Sequence, residues 1–278
     1  MAFAEIKSSL GWEVNVQPCL IRDSNGNIIE TKHKAITRSD SDFLLGIRGN
    51  QFTPMLVSEF EDLKERIGEV SGFEFKGYSE FYGGGVIMAN FKSIDQMYVD
   101  KYPYNDFLVM GNSYNGEKPF FLGTNTEMVR CTNQFSKITV QSRIRNTKNA
   151  KEKREELVRM FEIFCKEKED IYNNFCKFES REVTELEMEL IKRRLFSLSK
   201  EDSLLELPTR KLNRISEFDA SMSIELSDLG DNLLGFFNGV TRYTTHVMEQ
   251  KEECFGNMMG TKNEFNQKAY KMCLELIN

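Results

Sequence analysis

Residues able to do chemistry are few in this chain and widely spaced. Three adjacent glycines, Gly83 to Gly85, are the first candidates, because glycine-rich loops cradle phosphates. A P-loop needs Gly-Lys-Ser/Thr opening a helix, and a dinucleotide fingerprint needs spaced glycines before one. Here Val86-Ile87-Met88-Ala89 follows and reads as a strand, so the glycines read as a hairpin connection and P-loop ATP hydrolysis is disfavoured. The six cysteines stand at 19, 131, 165, 176, 254 and 273, and there are two histidines. Structural zinc wants ligands close in sequence, and no two cysteines are two or three apart, so no metal is expected. Cys131 and His246 would form a thiolate–imidazole pair only if the fold joined them, and nothing in the sequence does. Cys131, after Val129-Arg130, reads as packing; His33, in Thr31-Lys32-His33-Lys34, reads as solvated. Carboxylates are plentiful, yet no spaced cluster marks a two-metal centre, although distant ones can converge in space. No cofactor is expected, and no catalytic centre is legible.

One stretch does stand out. From Met128 to Ala150 there is no acidic residue, in a chain whose net charge is −6. Arg130, Lys137, Arg143, Arg145 and Lys148 are interleaved with Asn133, Gln134, Ser136, Thr139, Gln141 and Thr147, and Phe135 adds an aromatic face. Cations with short hydrogen-bonding side chains suit phosphate and sugar oxygens, and an aromatic ring suits an unpaired base. The competing reading is an edge strand kept soluble by its cations. Bulk attraction of nucleic acid is excluded by the overall negative charge, so any such contact is local. A second basic group, Lys192-Arg193-Arg194 with Arg210, Lys211 and Arg214, is diluted by acids and reads as a solvated helix face.

The elements that must position these residues change character near residue 150. Apolar residues are 40 % and charged residues 29 % of the 278, as for a folded, water-soluble protein with 22 phenylalanines for a core. Val14 to Ile21 and Ile28 to Ile36 flank Asn25-Gly26, a strong hairpin signal. Gly46 to Asn50 reads as a turn, and Met55 to Val70 has helical spacing after Pro54. Two more hairpins pair Phe73–Phe75 with Val86–Met88 and Phe107–Met110 with Phe120–Leu122, the latter about Asn115-Gly116. Met128 to Cys131 and Ile138 to Val140 read as short strands. From Ala150 the period becomes 3.6. One continuous helix is expected over Lys151 to Phe178, with Cys165 and Cys176 buried on it. Others are expected over Glu182–Leu198, Met222–Phe237, Gly239–Lys251 and Asn263–Ile277. The fold class is therefore α+β: an antiparallel, hairpin-rich module over 1–149 with one or two helices, and a helical region over 150–278. No Pro/Gly/Ser linker separates them, so a shared core is compatible. The first residues lack a basic region followed by an apolar run, and no window is long and apolar enough for a membrane span. A cytoplasmic protein with reduced thiols and no membrane partner is expected.

Several segments together resemble the phage/plasmid-like protein family, a domain of unknown function found on bacteriophages, prophages and plasmids. They are Gly11-Trp12 with Val14, Ala35-Ile36-Thr37-Arg38, Leu45-Gly46-Ile47, Gln51-Phe52-Thr53-Pro54, Gly84 to Ala89 and Phe107 to Gly116, in the family's order. Val129-Arg130-Cys131-Thr132-Asn133 is similar to its most distinctive stretch. Ile144-Arg145-Asn146-Thr147 stands where the family carries Arg-His-Thr, with Asn146 replacing the histidine. Phe255-Gly256, followed by Asn266 and Ala269, also fits. The resemblance spans roughly residues 11 to 150 and 240 to 278, and implies a mobile-element origin without a mechanism.

The expected function is a non-catalytic accessory of a mobile element that binds single-stranded nucleic acid or anneals strands, without ATP. Arg130, Lys137, Arg143, Arg145 and Lys148 would contact phosphates, Asn133 would hydrogen-bond and Phe135 would stack. A host- or phage-protein binder acting in counter-defence through its acidic helices is the alternative, and a metal-dependent nucleic-acid-processing enzyme the third. Homo-oligomerisation is compatible with each.

Overall fold

The computed structural model describes residues 7–70, 72–116, 118–138, 143–159, 161–199, 207–248 and 260–278. The fold is α+β, as expected, with antiparallel sheets in the N-terminal half and helices in the C-terminal half. The chain divides into two compact units. One comprises Met1–Asp95, Phe107–Thr124 and Ile138–Phe164; the other comprises Gln96–Asp106, Asn125–Lys137 and Cys165–Asn278. This differs from a single boundary at residue 149, because pieces of the strand-rich half belong with the helices.

In the first unit, β1 (Val14–Arg22), β2 (Ile28–Arg38) and β3 (Leu44–Gly49) form an antiparallel sheet in that order. The Asn25-Gly26 turn forms as expected: Asp23 Oδ1 accepts from the backbone N–H groups of Asn25 and Asn27, and Gly26 takes φ +85°. β3 corrects the turn expected at Gly46 to Asn50. There Ala35 pairs with Ile47, and a Cβ on Gly46 would lie 3.1 Å from Asn115 Cα. That glycine permits a close backbone approach within a strand.

Helix α1 (Val57–Val70) buries Phe60, Leu63 and Ile67. Glu13 stabilises its N-terminus: its two carboxylate oxygens accept from the N–H groups of Val57 (2.6 Å) and Ser58 (3.0 Å). β4 (Phe73–Phe81) and β5 (Val86–Ser93) pair antiparallel with Phe81 opposite Val86, so the three glycines connect a hairpin. Gly84 has φ +97°, and a Cβ there would sit 2.8 Å from the Trp12 ring. Trp12 Nε1 donates to Glu80 (2.7 Å), Arg38 Nη1 donates to the same carboxylate (3.2 Å), and the Arg38 guanidinium lies 4.5 Å from the Trp12 ring centroid. Gly84 admits the Trp12 ring and Gly83 the Phe43 ring, so these glycines serve aromatic packing. Helix α2 (Ala150–Arg159) completes this unit.

The larger sheet adds β6 (Met97–Val99), β7 (Tyr102–Ser113), β8 (Phe121–Met128) and β9 (Gln134–Ile138), in the order β4-β5-β7-β8-β9 with β6 on β7. The strand expected at Met128 to Cys131 is instead a turn. Thr132 N–H donates to Met128 O at 2.8 Å with Thr132 at φ +53°, and the strand starts at Gln134. Of Ile138 to Val140, residues 139 and 140 lie outside the described residues.

The second unit is built on α3 (Phe161–Glu179), α4 (Glu185–Leu195), α5 (Thr209–Leu229), α6 (Leu233–Arg242) and α7 (Thr261–Ile277). No strand occurs after residue 150 among the described residues. The single helix expected over Lys151 to Phe178 is helical at every described residue, as α2 and α3, and Met160 between them lies outside the described residues. The helix expected over Met222 to Phe237, by contrast, is divided. Gly230 leaves helical geometry at φ +92°, and Asn232 caps α6 by accepting from Gly235 N–H at 2.8 Å. α4 opens with a capping box between Thr184 and Glu187. Phe175, Phe178, Phe218, Phe236, Phe237 and Tyr243 form the aromatic centre of the core. Phe175 and Phe178 take the inward face of α3, which turns Cys176 to solvent and corrects its expected burial. The Cys165 side chain lies outside the described residues. Cys19, Cys131, Cys176 and Cys273 are free thiols.

Candidate nucleic-acid interface

The acid-free stretch is split between the two units. Its first part enters the helical unit and is committed to structure. Phe135 is only 3 % exposed and packs on Phe237, Tyr270 and Phe175, with centroids 5.2, 4.9 and 6.3 Å away. It cannot stack on a base without leaving the core, so its expected role is corrected. Asn133 is corrected likewise: it is buried, and its Nδ2 donates to Glu225 Oε1 (3.0 Å) and Asn238 O (3.2 Å). Arg242 pairs with the same buried Glu225 at 3.3 Å. Arg130 is half exposed but pairs with Asp228 at 3.1 Å. Side chains cover the β9 backbone: Gln134 N–H donates to Thr245 Oγ1, and Gln267 Nε2 donates to Ser136 O. An exposed edge is therefore the wrong description of residues 134 to 136. The Lys137 side chain lies outside the described residues.

The last part of the stretch lies in the first unit and behaves differently. Residues 143 to 147 run beside two other segments and bend at Asn146, where Thr147 N–H donates back to Arg145 O at 2.9 Å. Ile144 and Phe120 exchange backbone hydrogen bonds (2.8 and 2.9 Å), and Thr53 N–H donates to Asn146 O (3.0 Å). Alternation then sorts the side chains. Ile144 and Asn146 are buried, while Arg143, Arg145, Thr147 and Lys148 are exposed. Asn146 Nδ2 donates to Asn112 Oδ1 (2.9 Å) and Ser113 O (3.3 Å), which makes this position a structural clamp.

Arg143 and Arg145 line a concavity of about 650 Å³ together with Lys118, Gln51, Phe52 and Thr147. No acid is among the described residues that line it; Glu117, adjacent in sequence, lies outside the described residues. Gly116 at its wall has φ +69°, and a Cβ there would collide with the Arg48 guanidinium, which adds a fourth cation beside the cavity. Arg48 Nε is buried with no hydrogen-bond partner. Of the residues expected to bind, the fold thus brings Arg143 and Arg145 to one cavity and leaves Lys148 exposed beside them in sequence. Sequence reasoning missed Lys118, Gln51 and Phe52. The Gln51-Phe52-Thr53-Pro54 segment was visible, but nothing local showed that Phe52 would bridge to Thr147.

Cys131 and His246 do meet in the fold, at the wrong atoms for catalysis. His246 Nε2 lies 3.0 Å from the Cys131 carbonyl oxygen, while the thiol contacts Met128 Sδ at 3.4 Å. Burial pushes the Cys131 thiol up to about 12, which disfavours a thiolate. In the second basic group acids pair the 192–194 members: Lys192 bonds to Glu189 (2.8 Å) and Asp219 (3.0 Å), and Arg194 to Glu275 (3.5 Å). Between α4 and α5 lies a groove of about 560 Å³, floored by Met188, Met222, Leu226 and Phe236 and rimmed by Glu185, Glu189, Asp219 and Asp231, with Lys192 in the same lining paired to Glu189 and Asp219. Among the described residues no group of three His, Cys, Asp or Glu is placed to hold a metal ion, and no helix is long and apolar enough to cross a membrane. No protein-family model, curated protein or solved structure matches the chain.

Proposed function

We propose that the first unit binds the backbone of single-stranded nucleic acid in the concavity lined by Lys118, Arg143 and Arg145, without ATP. The supporting observation is the convergence of these three cations on one cavity with Phe52 and without a described acid. Phosphates would meet the cations, Gln51 and Thr147 offer hydrogen bonds to sugar or phosphate, and Phe52 offers the ring that Phe135 does not. With the resemblance to a mobile-element family, the reading is an accessory protein that coats or anneals displaced strands. The test is fluorescence anisotropy of a labelled oligodeoxynucleotide across a salt series. Arg143→Glu with Arg145→Glu should weaken binding and flatten the log–log salt slope by roughly 0.7 for each phosphate that is no longer neutralised. Absence of affinity for DNA and RNA at low salt would overturn the reading.

The α4–α5 groove favours a second reading, a host- or phage-protein partner. A methionine-containing apolar floor inside an acidic rim suits a basic amphipathic helix. A labelled Lys/Leu amphipathic peptide should bind, and Glu185→Lys with Asp231→Lys should abolish that binding; unchanged binding removes the groove from consideration.

A further inference from the structure

The outer half of the β1–β2 hairpin is bare on both faces: residues 15–18, 20–22 and 24–30 are all exposed. A lone two-stranded ribbon is marginal in water. This one nevertheless displays branched aliphatics, with Leu20 59 %, Ile21 55 %, Ile28 65 % and Ile29 46 % exposed. Their register sorts them. Ile21 pairs with Ile29, which puts those two on one face. Leu20 stands opposite Glu30 and Arg22 opposite Ile28, which puts all four on the other. That face is a small rectangle of about 7 by 5 Å, with Leu20 and Ile28 on one diagonal and the opposite charges Arg22 and Glu30 on the other. Neither charge has an ion-pair partner among the described residues. The β1 edge is a poor place to add a strand, because Pro18 lacks an N–H and the ladder shifts between Pro18 and Leu20.

We propose that this face is a homodimer contact, docking on the same face of a second copy of the chain. A two-fold axis along the Leu20–Ile28 diagonal stacks Leu20 on Leu20 and Ile28 on Ile28. The same rotation brings Arg22 of each arm onto Glu30 of the other, so four unpaired charges become two ion pairs. With about 6.8 Å along the strand and about 4.8 Å between strands, the arms then cross at about 70°. This self-complementarity of charge argues for a second copy as the occupant, because a two-fold contact must match itself. The contact is small, so the dimer forms with rising concentration. It is independent of nucleic-acid binding.

Sedimentation velocity of the full chain without nucleic acid, from micromolar to submillimolar concentration, tests it. The wild type should pass from monomer to dimer, and Leu20→Ser with Ile28→Ser should remain monomeric. Arg22→Glu gives an arm with two acids and Glu30→Arg an arm with two bases, so each alone should fail to self-associate. Mixed together, these two variants should associate with each other. Because all four side chains are exposed, thermal melts should be unchanged, which separates a failure of docking from a failure of folding. A wild type that stays monomeric throughout overturns the proposal and leaves the face to a different protein. So does self-association indifferent to the substitutions, or a mixture that associates no better than its components.

Discussion

Between Arg130 and Ser136 and between Arg143 and Lys148 the chain carries the same kinds of polar residue, amides and hydroxyls with one cation in the first and three in the second, and no acid in either. The first region nevertheless ends in the helical unit, where Phe135 joins an aromatic core and Asn133 donates to the buried Glu225. The second turns Arg143 and Arg145 into a cavity and keeps only Ile144 and Asn146 inside. The acids missing from the first region are supplied by α5, through Glu225 and Asp228. The difference shows that an acid-free run is no binding surface by itself. It is a candidate only where its cations face outward and no described carboxylate reaches them, as at Arg143 and Arg145.

The sharpest way to break this contrast is to truncate one aromatic ring in each region. Phe135→Ala should destabilise the protein by about 3–5 kcal/mol, the usual range for emptying a phenylalanine site in a packed core. The half-buried Phe52 should cost well under that when cut to Ala, and instead weaken oligonucleotide binding by about 1–3 kcal/mol. Urea unfolding and anisotropy on both variants give the comparison. Equal stability losses would mean that Phe52 is core and not a stacking face.

The legible part of the fold was what local signals govern. Asn25-Gly26 marked the first hairpin, the triple glycine marked the second, and the change of period at Ala150 marked the helices. Misreadings arose where a distant partner decides the outcome. Gly46 looks like a turn residue until Asn115 is seen against it, and Cys176 looks buried until Phe175 and Phe178 are seen to claim the inner face. The helix read through Gly230 fails because Asn232 offers a better start. At the candidate site, Arg143 and Arg145 are visible as charges, but Lys118 and Phe52 come from separate segments joined by backbone hydrogen bonds to residues 144, 146 and 147. The opposite error, giving Asn133 and Phe135 to a ligand, came from treating polarity and aromaticity as exposure.

A middle-sized effect concerns the amide in each region. Asn133→Ala removes a donor from a buried carboxylate that is left with Arg242, and should cost about 1–3 kcal/mol of stability. Asn146→Ala removes the clamp on Asn112 and Ser113 and should cost a similar amount, but with an added fall in oligonucleotide affinity. Its backbone holds Arg143 and Arg145 beside the cavity, and loosening that segment spoils their common orientation. Weakened binding in both variants, or in neither, would remove the distinction between a structural and a site-supporting amide.

The smallest effect separates two exposed arginines. Arg130 and Asp228 have side chains 52 % and 43 % exposed, and a surface pair of this kind contributes about 0.2–1 kcal/mol, screened by salt. Arg130→Ala should therefore lower stability slightly at low ionic strength, not at high, and leave oligonucleotide binding unchanged, since Asp228 cancels the charge a phosphate would meet. Arg145 has no carboxylate among its described partners, so Arg145→Ala should leave stability unchanged and flatten the salt slope by the share of about one phosphate. Denaturant titrations at two salt concentrations, paired with the anisotropy series, resolve the two. If Arg130→Ala lowers affinity as much as Arg145→Ala, the two ends of the acid-free segment act alike on nucleic acid, and neutralisation by α5 is not what separates them.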